Sequence, residues 1–132
     1  MARMIGILLI THGCYGEALV QDVCNVLNQR PPLLAQLGVA PQDDPLDLLP
    51  TAREMLATVD RGGGALVLTD LFGATPANLA LKLLQPSRVV GLAGVNLPML
   101  LSALTHRDKD LETLLVRARD GGRNGILNLL DH

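Results

Sequence analysis

His12 and Asp70, 58 residues apart in this chain, are the pair whose types and positions suit them for joint chemistry. Each closes a run of apolar residues: 5–10 precede Thr11-His12-Gly13, and 65–68 precede Thr69-Asp70. Unbroken apolar runs of this kind are the pattern of strands buried on both faces, as in a parallel sheet. Open α/β sheets carry their chemistry at the carboxyl edge of the strands, which is where both residues fall. A carboxylate beside an imidazole holds Nδ1–H, turns the Nε2 lone pair outward, and stabilises the cationic ring once Nε2 has formed a bond. Alone, Asp70 reads more simply as a turn cap. Its coincidence with His12 at adjacent strand ends favours function.

The surrounding residue types narrow the chemistry. No GxSxG is present and no serine lies near the strand ends, which removes the hydrolase reading. His106 and His132 are distant, lack paired spacing and read as solvated surface, and Cys14 and Cys24 are not a CxxC pair. Neither a metal site nor a disulfide framework is indicated. His12 itself is then the nucleophile. Helices that start at 13–16 and at Thr75 aim free N–H groups at one place. Thr75 adds a hydroxyl donor and Thr11 a second, so a phosphoryl group is the fitting electrophile. Phosphoryl transfer relies on positioning and charge stabilisation, and this set requires no metal and no cofactor. Cys14 is more simply a small apolar filler than a reactive thiol, and Asn96 a helix cap. Phe72 is either packing or a contact for a partner.

The elements that must position this pair alternate. Apolar residues at 15, 18, 19, 23, 26 and 27 predict a helix over 15–27, and 33–39 a second strand. Residues 48, 52, 55, 56 and 59 predict a second helix, with Asp47 as N-cap and Pro50 in its first turn; a start at Pro45 would instead place Pro50 where it kinks the helix. After Gly62-Gly63-Gly64 comes the third strand. Thr75-Pro76 then opens a helix to residue 84, with Thr75 as N-cap. A strand over 88–93 follows, then a helix over 97–105 capped by Asn96, and a helix over 111–119 between Asp110 as N-cap and Gly121 beyond its end. The tail 124–130 fits a short strand or a fraying helix equally. This order predicts a single doubly wound parallel α/β sheet of flavodoxin-like order 2-1-3-4, with helices on both faces and a C-terminal antiparallel edge strand as one option. A receiver domain shares the topology, but its Mg²⁺ chemistry needs an acidic pair where Thr11 and His12 stand.

Length and composition are compatible with one domain over 1–132. The residues are 48% hydrophobic and only 2% aromatic, so aliphatic side chains must build the core. A net charge of −2 without charge runs argues against nucleic acid or an anionic membrane as partner. The longest apolar region, 89–104, is interrupted by Asn96 and Pro98 and is too short to insert in a membrane. The expected location is cytoplasmic.

Taken together, ITHG with His12, TDLFGATPAN with Asp70 and Thr75, and AGVNLPMLLSAL over 93–104 resemble the mannose-type IIA domain of the bacterial sugar phosphotransferase system. The motifs and element order cover nearly the whole chain. The resemblance implies that His12 accepts a phosphoryl group on Nε2 from the phosphohistidine of HPr and passes it to a histidine of a IIB partner. It implies that Asp70 orients His12, and that Thr75 and nearby amides, Gly13 and Gly73 among them, hold the phosphate. It also implies a homodimer, with a C-terminal strand exchanged at the place 124–130 occupies. One departure stands out: Ala74 replaces a second glycine of the family's loop and brings a methyl group towards the phosphate site. The same site would serve sugar uptake, a stand-alone regulatory phosphoacceptor or binding module, or a IIA-like unit feeding a dihydroxyacetone kinase.

Overall fold

The first apolar run forms β1 (Gly6–His12), the strand on which the sheet is built, in a computed structural model that describes residues 3–131. From Gly6 to Thr11 every residue of β1 is buried, because β2 (Leu34–Val39) and β3 (Ala65–Thr69) flank it and helices cover both faces. With β4 (Val89–Ala93) the sheet has the order β2-β1-β3-β4, parallel throughout and open at both edges. This is the expected doubly wound arrangement. Register brings the strand ends level: Ile10 pairs with both Leu37 and Thr69. His12 and Asp70 therefore emerge side by side.

Alternation along the strands sorts the core into two layers. Ile7, Leu9, Leu66 and Leu68 pack with α1 (Tyr15–Leu27), α4 (Leu97–Thr105) and α5 (Leu111–Asn124). Leu8, Ile10 and Val67 face the opposite way, towards α2 (Pro45–Val59) and α3 (Thr75–Leu81). Burying each such aliphatic side chain contributes about 1.5–3 kcal/mol, so the strand that presents His12 is anchored on both sides.

Several elements differ from expectation, each for a local reason. Helix α2 begins at Pro45, where Asp44 caps it by accepting from the Leu46 amide at 2.9 Å, and Asp47 is not the cap. Pro50 thus lies inside α2 and deprives the Leu46 carbonyl of its intrahelical donor. Leu46 is exposed, so water can supply the bond. Helix α3 starts at Thr75 itself, with Ala74 in the cap position and no side-chain cap, and it ends at Leu81. Residues 82–84 continue as tight turns whose amides reach back three residues. Gly121 does not end α5: with Gly122 it lies within the helix. A Cβ on Gly121 would come 2.5 Å from Cβ of Ser102, and one on Gly122 2.9 Å from Cε of Met99. Those glycines are packing residues that let α4 and α5 approach. Among the described residues the tail adds no strand to the sheet, and a short 3₁₀ turn, Leu129–Asp131, follows α5.

Candidate functional site

His12 is the last residue of β1, and Asp70 is the first residue after β3. Nδ1 of His12 lies 2.9 Å from Oδ2 of Asp70, and the His12 amide donates to the same oxygen at 3.1 Å. With the carboxylate ionised, the ring contact requires Nδ1–H as donor, which in the neutral ring leaves the lone pair on Nε2. The two side chains differ in access. That of His12 is 51% exposed, while that of Asp70 is only 15% exposed. Burial pushes the Asp70 carboxyl up, but hydrogen bonds from the His12 ring, the His12 amide and its own amide, together with the His12 charge, outweigh it. The group is held below the usual carboxylate value.

The turn after His12 uses its polar groups internally. Thr11 is fully buried, and its hydroxyl accepts from the Gly16 amide at 2.8 Å. It braces the first turn of α1, where Cys14 occupies the cap position without a capping bond. Thr11 is thus a support of the loop and presents no donor at the surface, contrary to expectation. The Gly13 amide is also committed, donating to Val39 O at 2.9 Å. Its carbonyl lies so close to β2 that a Cβ on Gly38 would collide with it. Gly13 therefore shapes the turn, and its amide is not available for a ligand.

The facing loop runs from Asp70 to Thr75. Gly73 is exposed and sits at φ +87°, a left-handed conformation that a side chain would strain. Thr75 is half-buried at the start of α3, and its hydroxyl is not used in capping. Phe72 is 79% exposed, which removes the packing reading. Asn96 does cap its helix: its side chain accepts from the Met99 amide at 2.9 Å and donates to Gly122 O at 3.1 Å. His106 is half-buried, with Nδ1 2.7 Å from Ser102 O, whereas the expectation for His132 lies outside the described residues. Cys14 and Cys24 are free thiols, Cys14 exposed beside the site. Among the described residues no cluster of three His, Cys, Asp or Glu is arranged to hold a metal ion, and no helix is long and apolar enough to cross a membrane.

One contact had no sequence signal. Tyr15 reads as an apolar position of α1, yet its hydroxyl donates to Val95 O at 2.9 Å, across 80 residues.

The chain is similar to known proteins along most of its length. The family model EIIA-man, described as "PTS system fructose IIA component", matches residues 6–118. The mannose-specific EIIAB component of the phosphotransferase system from Escherichia coli (strain K12) is 30% identical over 125 residues, and the Shigella flexneri protein of that description matches equally. The match takes in 92% of this chain but only 38% of those relatives' length. Among solved structures, EIIA of Streptococcus agalactiae superposes with a TM-score of 0.85 at 22% identity, covering 98% of this chain and 100% of that one. The mannose/sorbose-specific IIA subunit of Enterococcus faecalis superposes at 0.84 with 21% identity, covering 96% of each chain. These two establish the shared fold.

Proposed function

The chain belongs to the EIIA-man family of phosphotransferase-system IIA components, and on that premise we propose that His12 is its phosphoryl-carrying residue. The observation that carries the reading is the 2.9 Å contact of Asp70 with Nδ1, which leaves Nε2 as the reactive nitrogen. In the first half-reaction the Nε2 lone pair attacks the phosphorus of the phosphohistidine on HPr. The new N–P bond forms as the donor's N–P bond breaks, and that electron pair returns to the donor imidazole. The His12 ring, now bonded at Nε2 and protonated at Nδ1, is cationic and is stabilised by the Asp70 carboxylate. The second half-reaction reverses this chemistry onto a histidine of a IIB partner. Thr75 supplies a hydroxyl and Gly73 a backbone amide to the phosphoryl oxygens. No metal or cofactor takes part in the proposed steps, and the exchange takes place in the cytoplasm.

A second copy of the chain is part of the proposal. Leu129 and Leu130 are 87% and 93% exposed, Ile126 and Leu127 lie on the same tail, and beyond a single bridge from Val89 to Gln85 the outer edge of β4 has no strand partner among the described residues. Exchange of this segment between subunits would bury those side chains. Truncation after residue 125 should then convert a dimer to a monomer in sedimentation equilibrium.

The function is tested by incubating the chain with phosphoenolpyruvate, enzyme I and HPr and measuring intact mass. One added phosphoryl group, acid-labile and absent in His12→Ala, supports the carrier. A folded chain that gains no mass contradicts it. Gain without onward transfer to a IIB domain would leave the chain a phosphoacceptor with a regulatory role.

A further inference from the structure

The Tyr15 hydroxyl has no part in the chemistry above, but it closes a ring of bonds around it. Tyr15 is the first residue of α1, three positions after His12. Its hydroxyl donates to the carbonyl of Val95 at 2.9 Å. Val95 and Gly94 in turn donate their amides to the carbonyl of Thr69, at 3.0 and 2.9 Å. Thr69 is covalently joined to Asp70, and Asp70 Oδ2 receives both the amide and the ring of His12. The circuit from His12 through Tyr15, Val95, Thr69 and Asp70 back to His12 is continuous.

The circuit has a direction of constraint. Two amide donors converge on the Thr69 carbonyl, so the peptide plane that sets the Asp70 backbone is fixed from the 94–95 side. The 94–95 segment is a turn, with Gly94 exposed at φ +91°, and turns open more readily than strands. The phenol holds that turn to the start of α1. On the His12 side, the Thr11 hydroxyl holds the same helical turn through the Gly16 amide at 2.8 Å. A phenol has few rotatable bonds, so it ties the two loops at little entropic cost. A phenylalanine would serve equally if the side chain only packed; the oxygen is what reaches Val95. Tyr15 remains 41% exposed, so burial of its ring is not the main thing the side chain supplies here.

We propose that Tyr15 is a positioning residue: through Val95 and Thr69 it keeps Asp70 in register with the His12 ring, and so holds the tautomer that presents Nε2. The proposal rests on His12 as the phosphoryl acceptor for its kinetic consequence, but not for its structural one.

The test is Tyr15→Phe in the full chain, which deletes one oxygen. Imidazole ¹⁵N signals of His12, recorded at a pH where the ring is neutral, report the tautomer directly. The expected result is a shift from the Nδ1–H form towards the mixture of a free imidazole. Phosphoryl acceptance from phospho-HPr should slow about two- to tenfold at saturating donor, the factor one net hydrogen bond supplies, with KM unchanged. In an Asp70→Asn background the same substitution should have no further effect on rate, since Tyr15 acts through Asp70. An unchanged tautomer would overturn the proposal, whatever the rate or Tm. A shifted tautomer with an unchanged rate would overturn it as a positioning residue for transfer. If the wild-type chain accepts no phosphoryl group, the carrier reading fails, while the ¹⁵N signals still decide the role of Tyr15.

Discussion

Oδ2 of Asp70 engages His12 twice, at 2.9 Å from Nδ1 of the ring and 3.1 Å from the backbone amide. One carboxylate oxygen thereby fixes both where the residue sits and how its ring is turned. The double contact is possible because Ile10 and Thr69 pair in register, so both strands run out at the same level. Reorienting the imidazole means giving up a charge-assisted bond, and such bonds are roughly twice as strong as neutral ones.

Replacing that carboxylate by its neutral isostere should leave the fold and remove the charge. Asp70→Asn is expected to slow phosphoryl acceptance on the order of 10²–10⁴-fold, as for other imidazoles that lose an orienting carboxylate. Urea unfolding should show a loss of no more than about 2 kcal/mol. A variant with wild-type transfer rates would remove Asp70 from the account.

The Asp70 carboxyl offers a direct electrostatic check. Its folded-state pKa lies below the ordinary value, because bonds and charge from His12 and its own amide outweigh burial. A depressed carboxylate contributes stability that is complete above the ordinary pKa of about 3.9 and is lost as pH falls through the folded-state value. In His12→Ala the burial remains while the ring bond and charge are gone, so the midpoint should move up. Carboxyl ¹³C titration measures both chains. An unmoved midpoint would show that the His12 ring does not set the ionisation of Asp70.

Gly38 should be intolerant of the smallest side chain. It lies on β2 opposite Thr11, and a Cβ there would strike the Gly13 carbonyl. Gly38→Ala is expected to destabilise the chain by about 1–3 kcal/mol and to perturb the His12 amide resonance, because the turn it displaces begins at that residue. Thermal unfolding with an amide correlation spectrum tests both; a variant as stable as wild type with an unshifted His12 amide would mean the turn has room to spare.

The sheet order and the meeting of His12 with Asp70 were legible in the chain, because two features carry them without help from neighbours. Apolar runs mark strands buried on both faces, and right-handed crossovers leave few orders for four parallel strands. Whether a polar group is free or already committed was not legible. Thr11 and Gly13 are good phosphate ligands by type, but the Gly16 amide and the Val39 carbonyl already occupy them. The place of Gly121 within α5 depends on the proximity of Ser102. Tyr15 gave no signal, since its acceptor is a backbone carbonyl 80 residues away. Tertiary neighbours, not local pattern, decided each of these.

In the proposed carrier, Asp70 reserves Nδ1 and leaves Nε2 to take the phosphoryl group. Its most direct test is the site of modification, read by ¹⁵N–³¹P coupling across the imidazole of the chain phosphorylated by phospho-HPr. Phosphorus on Nε2 of His12, with the proton retained on Nδ1, is the predicted result. Phosphorus on Nδ1, or on any residue other than His12, would contradict it.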